Sequence, residues 1–172
     1  RQAKVLVVDD YPLNVEIVST FLAEAGCEVV TAHDGAEALQ RLAEGPVDVV
    51  LMDCQMPVMD GFAATRAIRR EPRWRELPVL AMTANVTEHD RRACLDSGMN
   101  DFIPKPVETE PLVIALGRAV EHRALRQEVR RLRRAVTQGP FEEFIGNSPA
   151  MRRVYALLER VASSEAPVFI TG

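Results

Sequence analysis

Short apolar runs alternate with segments of helical spacing along the first part of this chain, and this alternation restricts its fold more than any other feature. The runs cover residues 5–8, 28–31, 47–52, 78–82 and 101–103. The apolar residues between the first two runs follow a helical period and end at Gly26, a typical helix stop. Five strands, each followed by a helix, predict an α/β fold: a doubly wound, five-stranded parallel sheet with helices on both faces.

Polar side chains with distinct chemistry follow these predicted strands. They are Asp9 and Asp10 after the first run, Asp53 after the third, Thr83 after the fourth and Lys105 after the fifth. Ligands of open parallel sheets bind at the carboxyl ends of the strands, near the point where strand order reverses. We therefore expect these five side chains to converge on one edge of the sheet.

Such a convergence would place three carboxylates together, and their mutual repulsion would raise their pKa values. A divalent cation with oxygen ligands removes that conflict, and Mg²⁺ is the simplest choice. Lys105 would add a positive point charge suited to a phosphate, and the Thr83 hydroxyl would add a hydrogen-bond donor. The pattern predicts a site where Mg²⁺ and a phosphoryl group are bound together.

Composition excludes several other classes of protein. The chain has 172 residues, 47% of them hydrophobic, and a formal net charge of −4, which argues against a general nucleic-acid coat protein and against a disordered acidic tail. No apolar run approaches membrane-spanning length, so no membrane association is expected. Three widely spaced cysteines indicate reduced thiols and a cytoplasmic location.

The motifs VLVVDD, LMDCQMPVMDG, MTA and KP occur in order, and residues 3–122 resemble the receiver domain of two-component response regulators. This resemblance implies a flavodoxin-like fold in which Asp53 accepts a phosphoryl group from a sensor histidine kinase or a phosphotransfer protein. It also implies that Asp10, Asp53 and the backbone carbonyl of Gln55 bind Mg²⁺, with Asp9 contributing to the metal site mainly through a metal-bound water. It describes a phosphoacceptor regulatory domain rather than an enzyme.

The same resemblance implies how phosphorylation is detected. Thr83 and Lys105 would contact the phosphoryl group, while Thr83 and the aromatic Phe102 would act as a switch. A cis Lys105–Pro106 bond is also implied, and X–Pro bonds adopt the cis form at modest cost. A simple core aromatic is the alternative interpretation of Phe102.

A long helix is predicted from Pro111 onward, and residues 123–138 are interpreted as a coiled-coil linker helix. Its apolar seam has four-three-four spacing and consists of Leu125, Val129, Leu132 and Val136. This seam predicts a homodimer. The arginines between Arg118 and Arg134 favour an exposed helix face over a nucleic-acid contact, because no aromatic residues are interleaved with them.

Residues 141–172 contain GNSPAM and VFITG, and they resemble the start of the AAA+ ATPase domain of NtrC-like, sigma-54-dependent activators. Gly172 would be the first glycine of the P-loop, and the nucleotide-binding lysine lies beyond the chain. ATP, RNA polymerase with sigma-54 and promoter DNA are therefore expected only for a full-length protein. Residues 141–172 are expected to be poorly ordered, or to pack against the coiled coil or a partner chain.

Two functions are compatible with these patterns. The chain is either the regulatory part of a transcriptional activator, or a phosphorelay receiver that passes the phosphoryl group onward without transcriptional output. The coiled-coil seam and the ATPase-like segment favour the first. A free-standing aspartate-nucleophile phosphatase is disfavoured, because such enzymes carry a D-x-D pair on one strand, whereas Asp9 and Asp10 are adjacent and Asp53 is distant.

Overall fold

We analysed a computed structural model, which describes residues 2–84 and 87–137, with side chains described as far as Arg133. The described part is an alternation of five strands and five helices. In chain order these are β1 (Lys4–Val8), α1 (Pro12–Glu24), β2 (Glu28–Ala32), α2 (Gly35–Glu44), β3 (Val49–Asp53), α3 (Gly61–Arg70), β4 (Val79–Thr83), α4 (Glu88–Ser97), β5 (Asp101–Pro104) and α5 (Thr109–Thr137). None of the described helices is both long enough and apolar enough to cross a membrane.

The five strands form one sheet in the order β2-β1-β3-β4-β5, and every neighbouring pair is parallel. The predicted doubly wound parallel sheet is therefore confirmed. The chain moves from β1 outward to β2 and then returns past β1 to β3. The crevice between the carboxyl ends of β1 and β3 is therefore the place where such sheets bind ligands.

Helices cover both faces of the sheet, and successive strand residues point to opposite faces. In β3, Val50 and Met52 belong to the apolar cluster that includes side chains of α2, α3 and α4. Val49 and Leu51 belong to the second cluster, which includes side chains of α1 and α5. Every residue of β3 is buried, which explains why this strand is a continuous apolar run rather than an alternating one.

The third strand starts two residues later than the predicted run of 47–52. The carbonyl of Val47 accepts a hydrogen bond from Arg123 Nη1 at 2.6 Å. The Asp48 carboxylate accepts from the backbone N–H of Lys4 at 2.9 Å. Val47 and Asp48 thus bind groups at the amino end of the sheet, and regular pairing begins at Val49.

Local signals in the sequence fix the ends of several helices. Asp34 and Asp60 accept hydrogen bonds from the first turns of α2 and α3, as N-cap residues do. Thr87 accepts from the backbone N–H of Asp90 at the start of α4, also as an N-cap residue does. Gly26 has a φ of +78°, a left-handed conformation that suits glycine and ends α1.

Helix α5 continues without interruption to Thr137, and the first of the two compact units of the chain ends at Arg126. Of the predicted seam, Leu125 is 60% exposed, Val129 47% and Leu132 53%. The side chain of Val136 lies outside the described residues, as do the ATPase-like segment 141–172 and Gly172.

Val58, in the loop between β3 and α3, has a φ of +66° although its side chain is β-branched. This conformation costs an L-residue about 1–2 kcal/mol, and Val58 is 88% exposed, so little packing offsets the cost. We expect Val58→Asn, which tolerates this conformation, to increase the free energy of unfolding by about 1 kcal/mol in urea titrations. Val113→Asn, at an exposed position within α5, is the control and should not stabilise the protein. A lower unfolding midpoint for Val58→Asn would contradict the inference that the positive φ of Val58 destabilises the fold.

Candidate functional site

Three carboxylates meet at the carboxyl edge of the sheet, on the two strands that flank the crevice. Asp9 and Asp10 directly follow β1, and Asp53 is the last residue of β3. One ligand oxygen from each lies within 4.8 Å of the others. Asp9 and Asp53 are buried, whereas Asp10 is exposed. The cluster is thus rigid on its inner side and open to solvent on its outer side.

Lys105 reaches this cluster from the loop after β5. Its Nζ lies 2.6 Å from Asp9 Oδ2 and 2.9 Å from Asp53 Oδ2. The backbone N–H of Lys105 donates to the carbonyl of Thr83 at 2.8 Å, which ties this loop to the end of β4. The Lys105–Pro106 bond is cis, as the resemblance to receiver domains implies. One ammonium therefore bridges two carboxylates from different strands.

Burial and charge act in opposite directions on these groups. Burial raises the pKa of Asp53, and the hydrogen bond and charge of Lys105 only partly reverse this. For Lys105, burial disfavours the charged form, but the hydrogen bonds to Asp9 and Asp53 outweigh it and raise its pKa. With one ammonium beside three carboxylates, the site retains an excess of negative charge. The donor set, three carboxylates with an open side, fits Mg²⁺.

A glycine allows the loop after β3 to pass close to the end of this strand. The backbone N–H of Gly61 donates to the carbonyl of Cys54 at 3.2 Å. A Cβ atom added at Gly61 would collide with the carbonyl oxygen of Asp53. Helix α3 can start here, with Asp60 as its cap, only because Gly61 has no side chain. This contact fixes the backbone of Asp53 relative to α3.

A cleft of about 170 Å³ opens beside Asp53. It is lined by Asp53, Cys54, Gln55, Phe62, Thr83, Ala84, Asp90, Cys94 and Lys105. Thr83 is the last residue of β4 and is half-buried. Gln55 donates its backbone N–H to Asp53 Oδ1 at 3.3 Å, and the role of its carbonyl stays a prediction. The cleft gives a small group access to Asp53 between β3 and β4.

Phe102, the predicted switch aromatic, is half-buried on β5 and packs against the cluster beneath α2, α3 and α4. The guanidinium of Arg91, on α4, lies 5.7 Å from the centre of its ring, within the range of a cation–π contact. Phe102 therefore touches the helix next to the site, which is compatible with either a switch or a core aromatic.

Reasoning from the sequence missed two polar residues. Asn14 Nδ2 lies 3.1 Å and 3.2 Å from the two carboxylate oxygens of Asp9. The sequence signal for Asn14 is weak, because it is a single amide in the first turn of α1, the helix that follows Asp9. The guanidinium of Arg69 binds the opposite, amino edge of the sheet, and its partners lie 5 to 31 residues away in sequence, at separations that no local pattern reveals.

The three cysteines are free thiols, as expected. Cys54 and Cys94 are buried with their sulfur atoms 3.8 Å apart. Burial raises the pKa of both thiols, so they behave as small packing residues at the wall of the cleft rather than as nucleophiles.

Comparison with known proteins connects this geometry with a family. Residues 5–117 match the family described as response regulator receiver domain. The receiver domain of sensor histidine kinase PA1611 from Pseudomonas aeruginosa, solved with a magnesium ion in its active-site cleft, is 36% identical. That structure has a TM-score of 0.66 and covers 70% of this chain and 99% of its own.

Two longer relatives differ in how much of this chain they match. Hybrid signal transduction histidine kinase B of Dictyostelium discoideum is 40% identical over an alignment of 124 residues that covers 66% of this chain and 6% of that protein. The DNA-binding transcriptional regulator NtrC of Escherichia coli is 35% identical over 168 residues, which are 98% of this chain. This chain spans only 35% of the length of NtrC.

Proposed function

This chain belongs to the response regulator receiver family of two-component systems, and from that premise we propose that Asp53 accepts a phosphoryl group from a phosphohistidine. An oxygen of the Asp53 carboxylate attacks phosphorus, the phosphorus–nitrogen bond of the donor breaks, and the histidine leaves with the electron pair of that bond. The observation that carries this proposal is the meeting of Asp9, Asp10 and Asp53 at the β1/β3 crevice with Lys105 among them.

Each neighbouring side chain has a role in this step. Asp9, Asp10, Asp53 and the carbonyl of Gln55 would hold Mg²⁺, and the bound ion would supply positive charge against the oxygens of the phosphoryl group. Lys105 would turn its ammonium from the carboxylates to the phosphoryl oxygens, and Thr83 would donate its hydroxyl. Phosphoryl transfer depends mainly on such positioning and charge neutralisation. Burial of β3 supports this role, since it keeps Asp53 in a fixed orientation.

Phosphorylation would then alter the surface formed by α4, β5 and α5. Movement of Thr83 toward the phosphoryl group would vacate space that Phe102 can fill. Arg91 on α4 contacts Phe102, so a turn of the ring would change the surroundings of α4 as well. This is a shift between two conformations, driven by the contacts that the phosphoryl group gains in one of them.

An exposed apolar patch beside the acidic cluster supports docking of a sensor histidine kinase or a phosphotransfer protein in the cytoplasm. Tyr11 is 57% exposed, Leu13 51% and Ile17 40%, and all three are at the start of α1 or just before it. The backbone N–H of Tyr11 donates to Asp9, so the patch directly adjoins the site. A partner that covers it would bring its phosphohistidine close to Asp53.

We favour control of a sigma-54-dependent transcriptional activator as the output. The match to NtrC extends over 98% of this chain and so includes most of the ATPase-like residues 141–172. ATP, RNA polymerase with sigma-54 and promoter DNA would engage the full-length protein, with Gly172 starting its P-loop. The match to a hybrid kinase supports the second candidate, a receiver that passes the phosphoryl group onward.

The linker would join two copies of this chain. With Leu125 and Leu132 at the d positions of a heptad and Val129 at an a position, glutamates occupy g positions and arginines e positions. These are Glu121 and Glu128 at g, and Arg126 and Arg133 at e. In a parallel dimer each g residue faces an e residue of the second copy, so opposite charges meet. An antiparallel pair would bring like charges together.

We expect Leu132→Glu to weaken this dimer by at least about 2 kcal/mol, because the new charge would be buried in the seam. Sedimentation velocity should show the shift from dimer to monomer. Glu128→Arg should also weaken the dimer, and adding Arg133→Glu should restore it. Gln127→Glu, at the exposed f position, is the control. A sedimentation profile of Leu132→Glu equal to that of the unmodified chain would contradict the proposed coiled coil.

The phosphoacceptor proposal is tested with a small-molecule donor, which needs no cognate kinase. Acetyl phosphate and Mg²⁺ should add one phosphoryl group per chain, detected by intact mass, and EDTA should prevent this. Onward transfer to an added phosphotransfer protein, without a change in oligomeric state, would favour the phosphorelay role. A phosphorylation-dependent change in oligomeric state would favour the activator. Absence of any phosphoryl adduct with Mg²⁺ present would refute the proposal.

A further inference from the structure

The buried carboxylate of Asp9 is held by three different donors. The backbone N–H of Tyr11 lies 2.9 Å from Oδ1, and Lys105 Nζ lies 2.6 Å from Oδ2. Asn14 Nδ2 contacts both oxygens, at 3.1 Å and 3.2 Å. Two of these donors come from the segment that starts α1, and only Lys105 comes from a distant part of the chain. Asp9 is therefore held by two donors close to it in sequence, Tyr11 and Asn14, and by the long, flexible side chain of Lys105.

These donors differ in what they can do when the site is occupied. Lys105 is shared with Asp53, and in the proposed reaction its ammonium leaves the carboxylates for the phosphoryl group. The backbone donor from Tyr11 restrains only Oδ1. Asn14 is the remaining side chain on Asp9 among the described hydrogen bonds, and it is neutral, so it adds no positive charge that would repel a cation at the carboxylate.

We propose that Asn14 is a positioning residue for Mg²⁺, whose amide keeps the Asp9 carboxylate aimed at the ion while Lys105 turns away. This inference rests on the proposed function, because it assumes the magnesium site at Asp9, Asp10 and Asp53. Hydrogen-bond partners of metal ligands generally improve affinity by orienting the ligand, and their loss reduces it about 10–100-fold. Because the Asp9 side chain is buried, water does not readily replace the amide that contacts it.

The test is calorimetric titration of the full chain with Mg²⁺ alone, without any phosphoryl donor. Asn14→Ala should raise the dissociation constant about tenfold, and Asn14→Leu, which keeps the size but not the donor, should do the same. In an Asp9→Asn background the two Asn14 substitutions should change affinity little, because the carboxylate they act through is gone. Thr20→Ala, an exposed position on the same helix, should bind Mg²⁺ normally.

A second readout separates positioning from chemistry. At saturating Mg²⁺, both Asn14 variants should be labelled by acetyl phosphate at the rate of the unmodified chain. Only the Mg²⁺ concentration that gives half of this rate should be higher for the variants. Thermal unfolding in EDTA checks that both variants fold. If the unmodified chain fails to bind Mg²⁺, the proposed function fails. If it binds and both variants bind equally well, or if they remain defective at saturation, the inference about Asn14 is overturned.

Discussion

Asp53→Asn is expected to reduce labelling by acetyl phosphate below detection, because an amide cannot form the acyl phosphate. The substitution keeps the size of the side chain at a buried position on β3, so the surrounding packing should survive. Intact mass after incubation with Mg²⁺ and acetyl phosphate is the direct measurement. Asp96→Asn, at an exposed position on α4, serves as the matched control and should label fully. Stable labelling of the Asp53→Asn chain at another residue would show that the acceptor has been assigned wrongly.

The same variant should change stability in a defined direction. Burial raises the pKa of Asp53 above its unfolded value, so this group stabilises the fold below that value and the contribution is lost as pH rises through the folded pKa. In EDTA at neutral pH, Asp53→Asn should therefore unfold at a higher temperature than the unmodified chain. The difference should shrink as the pH falls and Asp53 becomes protonated. A stabilisation that grows in acid would contradict this account of the site.

Arg69→Ala is expected to lower the free energy of unfolding by about 3 kcal/mol, the largest loss that we predict for a residue outside the site. Its Nε and Nη atoms donate to the carbonyls of Gly98 and Leu77 at 2.8 Å each, and to Asn100 Oδ1 at 2.9 Å. Asn100 Oδ1 also accepts from the first N–H of β4. Truncation leaves several part-buried acceptors without partners. Urea unfolding monitored by circular dichroism measures the loss.

Two neighbouring changes sharpen that test. Arg70→Ala removes an exposed arginine from the same helix, and it should change stability by no more than about 0.5 kcal/mol. Arg69→Lys retains the charge but not the planar fork of donors, so it should recover only a small part of the loss. Equal unfolding midpoints for Arg69→Ala and Arg70→Ala would mean that the hydrogen bonds of Arg69 do not stabilise the fold. Labelling of Arg69→Ala at low temperature should persist, since Arg69 is remote from Asp53.

The fold was accessible from the sequence because each strand and helix carries its own local pattern. The apolar run before Asp53 is continuous since β3 is covered on both faces, and Thr87 marks the start of α4 by a cap that spans three residues. The strand limits were less accurate. Just before β3, the carbonyl of Val47 accepts a hydrogen bond from Arg123, which lies 76 residues away and cannot be inferred from a local pattern.

In the site too, features that follow from the order of the strands were predictable, whereas individual side-chain contacts were not. Asp9, Asp10 and Asp53 were predictable as a cluster because topology alone brings the ends of β1 and β3 together. Asn14 was not, since an amide in a first helical turn has many ordinary roles and its contact depends on side-chain orientation. The bridge that Lys105 forms between two carboxylates was also not predicted, because the sequence suggested only its attraction to phosphate. Contacts that depend on side-chain orientation cannot be predicted from the periodicity of the sequence.

The candidate site and the hydrogen bonds of Arg69 lie at opposite edges of one sheet. Asp53 and its neighbours occupy the carboxyl edge, while Arg69 secures the amino edge through Gly98, Leu77 and Asn100. If the patch of Tyr11, Leu13 and Ile17 docks the phosphoryl donor as proposed, substitutions there would change the choice of partner without disturbing the contacts of Arg69. Gene duplication followed by such drift would yield insulated pathways from a single scaffold.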